Sequence, residues 1–377
     1  MIDTQNIIQA AAHDTGLADF GNSDVREALD VLVNACNTEA RLSDAGEQRV
    51  AAAFSGYLAN RIAVTSYLSR HPELLQRPIE KPTFVFGLPR TGTTLAINLL
   101  NADVSRRCLL RWESQTPVPP ALSGQLNSDP RYEACKAQTE MALKYVPHIA
   151  AIHFEEADSP TECQFAMAPS FSAQIFDSQF HIPSYRKWLF NASYLPAMQF
   201  HKQLLQVLQE NNSGQWTLKN PWHPLYLQDL ITVYPDAQLI MTHRDPVEVV
   251  GSACSLVNAV RHMYSDDVRT DEIANSLLET FDLMIARQRA FRREHGSNAI
   301  YDVRYVDLVK DPIETMKKLY THFEKPFTPT VQSAMAATLA NNPKNKHGKH
   351  EYSLSHFGLS ELQIRSRYSE YCAEFGL

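Results

Sequence analysis

The sequence predicts an α/β protein: a central parallel sheet covered by helices, preceded by a helical N-terminal extension. Three observations predict it. The apolar run Thr83-Phe84-Val85-Phe86 has no helical spacing and opens a glycine-containing turn followed by an apolar helix. Strand-then-helix units recur three more times downstream, and the residues before about 80 carry only helical periodicity.

Residues 1–80 read as a helical module. Val25, Leu29, Leu32 and Val33 fall at helical spacing, and a long pattern from Ser43 to Ser69 stops at His71-Pro72. Pro78 and Pro82 bracket a linker, after which residues 81–377 form the sheet domain. Its first strand is apolar throughout, as suits a strand buried on both faces of a parallel sheet. The later strands are Gln215–Leu218, Gln238–Thr242 and Ala299–Val303. Their helices run from near Leu225 to Val233, from Pro246 and from Pro312. Asp311-Pro312-Ile313-Glu314 supplies an N-cap, a proline at the first helical position and a capping acid; Ser360 and Gln363 form a capping box. The insert at 104–210 is rich in proline and aromatics, with helices near Arg131–Lys144 and Leu195–Leu208. Inserts at this place in such sheets wall the pocket above the strand ends, so we assign it to the acceptor side.

Composition narrows the function classes. The chain has 377 residues, 44% of them hydrophobic and 20% charged, which fits one large folded domain with a smaller appendage. Lys and Arg number 35 against 42 Asp and Glu, a net charge of −7 without a long basic run, so a nucleic-acid partner is not expected. No stretch approaches the roughly 20 apolar residues of a membrane span. The six cysteines, Cys36, Cys108, Cys135, Cys163, Cys254 and Cys372, show no metal-ligand spacing and suit a reducing compartment. The N-terminus lacks the positive charge and apolar core of a signal peptide, and a cytoplasmic location is expected.

The chemistry starts at Gly87-Leu88-Pro89-Arg90-Thr91-Gly92-Thr93-Thr94, between the first strand and its helix. Such a turn presents backbone N–H groups at a helix N-terminus, where the dipole favours an anion. The glycine spacing matches the nucleotide loop G-x-x-x-x-G-K-[ST], but Thr93 stands where its lysine belongs and the positive charge sits on Arg90. A loop without that lysine suits a less highly charged group than a triphosphate, such as a sulfuryl group. Lys219 and Arg244 end the next two strands, and the carboxyl ends of parallel strands share one crevice, so three cations converge there. Each alone is most often a solvated side chain; three at strand ends point to a polyanion. His243-Arg244-Asp245 also spells a kinase tripeptide, but Val250 occupies the position of the required asparagine, and the match is discarded.

Together these residues resemble the sulfotransferase family. Gly87–Thr94 is similar to its 5′-phosphosulfate loop, and Thr242-His243-Arg244-Asp245-Pro246 with Ser252 to its 3′-phosphate motif. Leu218-Lys219-Asn220-Pro221-Trp222-His223, Tyr234-Pro235-Asp236-Ala237 and Arg304-Tyr305-x-Asp307-Leu308 resemble a mostly bacterial branch related in its core to tyrosylprotein sulfotransferases. The resemblance spans the chain and implies a P-loop-like three-layer α/β/α domain. It implies sulfuryl transfer from 3′-phosphoadenosine 5′-phosphosulfate (PAPS) to a hydroxyl of a small molecule, without a metal, leaving the bisphosphate PAP. By the same resemblance Arg90, Thr91, Gly92, Thr93 and Thr94 hold the 5′ end, Arg244 and Ser252 the 3′ phosphate, and Tyr305 lies near the adenosine. The basic stretch Lys344–His350, with Lys349, matches the nucleotide-closing loop.

Arg90 and Lys219 are then expected to stabilise the transferring group electrostatically. For the base, Glu113 beside Trp112 is the first candidate, followed by His223 and His153. Phe171, Phe176, Tyr185, Trp188 and Phe190 in the insert suggest a lipophilic alcohol or phenol as acceptor, although an aromatic cluster is more often plain core. Two other readings stay open: a phosphate-loop kinase using Asp245 for magnesium, and a silent nucleotide-binding protein. The N-terminal helices are candidates for a lid, a buttress or a homodimer face.

Overall fold

β1 (Thr83–Gly87) lies at the centre of a five-stranded sheet because every one of its residues is buried. The computed structural model describes residues 1–17, 19–21, 24–145, 155–342 and 353–377. β2 is Arg106–Arg107, β3 Gln215–Lys219, β4 Gln238–His243 and β5 Tyr301–Arg304. The order is β2-β3-β1-β4-β5 and every pairing is parallel. Alternate residues of β1 enter two cores. Phe84 and Phe86 pack with Leu239 and Met241 on one face; Val85 packs with Ile240, Val303, Leu99 and Leu319 on the other. The result is helices on both faces of a parallel sheet, as expected.

The edge strand β2 was not expected, since two arginines do not read as a strand. Their burial has a polar cause. Arg106 donates to the hydroxyls of Tyr320, Thr83 and Thr217, and Arg107 lies over the Trp216 ring at 4.6 Å and pairs with the Glu113 carboxylate. The 26-residue helix Thr270–His295 was also missed; Arg269 at its start offers no side-chain cap to announce it. By contrast, the helices Pro246–Arg261, Pro312–His322 and Glu361–Arg367 are capped by Asp245, Asp311 and Ser360.

Three helices precede the sheet: α1 (Thr4–Thr15), α2 (Asp24–Glu39) and α3 (Asp44–Arg70). They share a continuous core with the insert. Phe54 of α3 meets Phe171, Phe176 and Phe180 edge-on at 5.5–6.3 Å. The insert's aromatics are thus largely spent on holding α3, and Phe171, Phe176 and Tyr185 are fully buried. Among the described residues no helix is long and apolar enough to cross a membrane.

Candidate active site

The register of the sheet decides which side chains can meet. Val85 of β1 lies beside Lys219, the last residue of β3, and Gly87 beside Thr242 of β4, so the three strands end on the same side of the sheet with β3 stopping two residues short of β1. The chain then turns into α4 (Thr93–Asn101). Two glycines make this turn possible. A Cβ on Gly87, at φ 152°, would stand 2.3 Å from the Thr242 carbonyl oxygen; one on Gly92, at φ 99°, would stand 2.8 Å from the Tyr305 ring. Gly92 is the N-cap of α4 and provides no side-chain acceptor, so the first-turn N–H groups face the space above the strand ends uncapped by it.

Arg90 occupies the left-handed region at φ 73°, a conformation that costs a non-glycine residue on the order of 1 kcal/mol. It is held there from two sides. Its Nε donates to Ser252 Oγ at 2.9 Å, and Arg244 Nη1 donates to its carbonyl at 3.1 Å. Arg244 stacks over the Tyr305 ring at 4.3 Å and pairs with Glu248. Arg90, Arg244, Ser252 and Tyr305, expected from three separate motifs, thus form one network.

A cavity of about 410 Å³ opens beside this network. Arg90, Gly92, Thr93, Thr94, Arg244 and Tyr305 line one part of it. Apolar side chains of Phe165, Ile175, Trp222, Leu256, Val257 and Val260 line another, with Leu256, Val257 and Val260 on one face of the helix Pro246–Arg261. One carboxylate, Glu162, also reaches it. Thr91 does not line it: its hydroxyl donates to the Leu88 carbonyl and meets Thr242 Oγ1 at 2.6 Å, both buried, so its side chain braces the loop.

Three further residues expected in the chemistry have surroundings that differ from the expectation. Glu113 is fully buried and forms a bidentate pair with Arg107, Oε1 to Nη2 at 2.6 Å and Oε2 to Nη1 at 3.0 Å. It lies off the cavity and secures β2. His223 is fully buried against Phe84, Phe86 and Tyr226, and neither ring nitrogen has a hydrogen-bond partner among the described residues. Burial, reinforced by nearby His201, holds its pKa well below the ordinary histidine value, and it is off the cavity too. Lys219, expected at the transferring oxygens, is instead wholly buried behind Glu162, with Nζ 2.9 Å from Glu162 Oε1 and 3.8 Å from Glu155 Oε1. His153 and the stretch 344–350 with Lys349 lie outside the described residues.

Glu162 is the residue that sequence reasoning missed. A parallel bridge sets its backbone beside Lys219, and Gln164 donates to its second carboxylate oxygen. Nothing within the local sequence announces this, because its partner is 57 residues away. The kinase tripeptide is structural: His243 bonds Tyr371 and Asp302 at 2.8 Å each, and Asp245 caps its helix and pairs with Arg365.

Comparison with known proteins shows the family of the chain. Residues 82–329 match the family model described as "Sulfotransferase family". The chain is 24% identical over 251 residues to the omega-hydroxy-beta-dihydromenaquinone-9 sulfotransferases Stf3 of Mycobacterium bovis and Mycobacterium tuberculosis, a match covering 64% of this chain and 62% of those relatives' length. The crystal structure of sulfotransferase STF9 from Mycobacterium avium superposes with a TM-score of 0.93 at 31% identity, over 100% of this chain and 97% of that one. Sulfotransferase STF1 from Mycobacterium tuberculosis gives 0.88 at 30% identity, over 98% of each chain.

Proposed function

This chain belongs to the sulfotransferase family, and from that premise we propose that it transfers the sulfuryl group of PAPS to the hydroxyl of a small lipophilic acceptor, with Glu162 as the base. One observation carries the proposal: a single cavity has an anion-binding helix N-terminus with two arginines in one wall and a lone carboxylate beside an apolar surface in another.

The residues fit the nucleotide. The uncapped turn of α4 with Thr93, Thr94 and Arg90 suits the 5′ end, Arg244 supported by Ser252 through Arg90 suits the 3′ phosphate, and the Tyr305 ring offers a face to the base. When bound, PAPS supplies a sulfuryl group on a phosphate leaving group, so that an oxygen–sulfur bond forms as the old one breaks. The chain's own contribution is electrostatic and positional. Arg90 and the α4 N–H groups stabilise charge that builds on the departing phosphate. Glu162 accepts the acceptor's hydroxyl proton, and the apolar surface of Phe165, Trp222 and Val257 holds the acceptor while excluding water.

The test is direct. Purified protein, PAPS and a series of long-chain alcohols and phenols are assayed for PAP and the sulfate ester by mass spectrometry. Glu162→Gln is expected to cut turnover by about a hundredfold or more while leaving PAP affinity near normal. Preference for ATP over PAPS, or normal turnover in Glu162→Gln, overturns the proposal.

A further inference from the structure

We infer that Lys219 is a positioning residue that holds Glu162 at the cavity wall, and that Glu155 sets how strongly it does so; this rests on the assignment of Glu162 as the base. Lys219 does not itself line the cavity, and its side chain is wholly buried behind Glu162. It bridges two acids. Nζ lies 2.9 Å from Glu162 Oε1 and 3.8 Å from Glu155 Oε1, while Thr161 Oγ1 donates to the second oxygen of Glu155 at 2.9 Å. Glu162 therefore has one oxygen on the ammonium and the other on Gln164, which fixes the plane of the carboxyl group it shows to the cavity.

Burial alone would depress the Lys219 ammonium, but the charges of Glu162 and Glu155 outweigh it, and its pKa stands above the ordinary lysine value. The cation is thus permanent, and it is shared between the two carboxylates. Glu155 therefore competes with Glu162 for the Lys219 ammonium. Among the described residues, the Cys163 thiol and Tyr226 phenol near Glu162 are pushed up by burial and neutral, and Arg90, Arg244 and Tyr305 lie on the same cavity.

Opposite shifts follow from removing the two partners. Full-length protein labelled with carboxyl-¹³C glutamate is titrated by NMR, the Glu162 signal being assigned by its loss in Glu162→Gln. In Lys219→Met the Glu162 midpoint moves up by about one pH unit or more; in Glu155→Gln it moves down by a smaller amount. Lys219→Arg retains a midpoint near wild type. A midpoint unmoved in Lys219→Met, or moved in the same direction by both variants, overturns the inference. If Lys219→Met does not fold, the sign of the Glu155→Gln shift decides. The readout is independent of turnover: loss of sulfuryl transfer by the wild-type protein sinks the functional reading, whereas the signs of these shifts bear on the positioning role alone.

Discussion

The two walls of the cavity are built by different means. The phosphate wall is mostly backbone: a turn between β1 and α4, two glycines that admit no side chain, and arginines placed by the ends of adjacent strands. The opposite wall is an ion pair between residues 57 apart, set across a single parallel bridge. A wall made of backbone is harmed by an added atom, whereas one made of paired charges is harmed by a removed partner.

The largest effect is expected from adding one methyl group. Gly87→Ala places a Cβ 2.3 Å from the Thr242 carbonyl in a left-handed conformation, so β1 and β4 must separate where their arginines converge. Overpacking and backbone strain together should cost about 3–5 kcal/mol. Urea unfolding and PAP calorimetry should both register it; unchanged stability would mean that the strand ends are not tightly opposed.

On the other side, Glu113→Gln removes the partner of the buried Arg107 and should destabilise the fold by about 3 kcal/mol. Turnover per folded molecule should stay within about threefold of wild type, because Glu113 lies off the cavity. A selective loss of turnover without loss of stability would return Glu113 to the chemistry. The contrast with Glu162→Gln separates an acid that holds an edge strand from one that faces a substrate.

This contrast also marks what was legible in the sequence. The phosphate wall could be read because each of its parts is local: Gly87, Arg90 and Gly92 are fixed by one strand-to-helix turn, and Arg244 by a strand end. The base could not. Glu113 carries the right residue type after the first helix, but the fold spends it on Arg107, and only the sheet register brings Glu162 to Lys219. Lys219 was correctly placed at a strand end, yet its direction depends on two carboxylates from the insert. The four long strands follow from apolar runs, whereas β2 exists because hydroxyls and Glu113 satisfy two buried arginines.

A smaller effect on the phosphate wall is expected from Arg244→Ala. Loss of a charge-assisted contact with the 3′ phosphate should weaken PAP binding by about 1.5–3 kcal/mol, roughly 10- to 150-fold. The same variant frees the Arg90 carbonyl and the Tyr305 ring, so some loosening of the turn adds to it. PAP should lose more affinity than 5′-AMP, which has no 3′ phosphate; equal losses would assign Arg244 to the other end of the nucleotide.

The smallest effect per residue is expected where His201 and His223 are buried beside Phe84. Burial drives the His201 pKa down to about 3, and that of His223 is lowered in the same direction. In the unfolded chain both titrate near 6.5, so between pH 6.5 and about 3 the unfolded state binds more protons than the folded one. Stability is therefore full above pH 6.5 and falls as the pH drops below it, by about 1–2 kcal/mol for each histidine at pH 5. Chemical denaturation at pH 7.5 and pH 5 measures this, and His201→Asn, which keeps a polar group toward Tyr234 but does not titrate, should remove about half of the difference. An acid sensitivity untouched by that change would place its origin in the carboxylates around Lys219 and Arg107 instead.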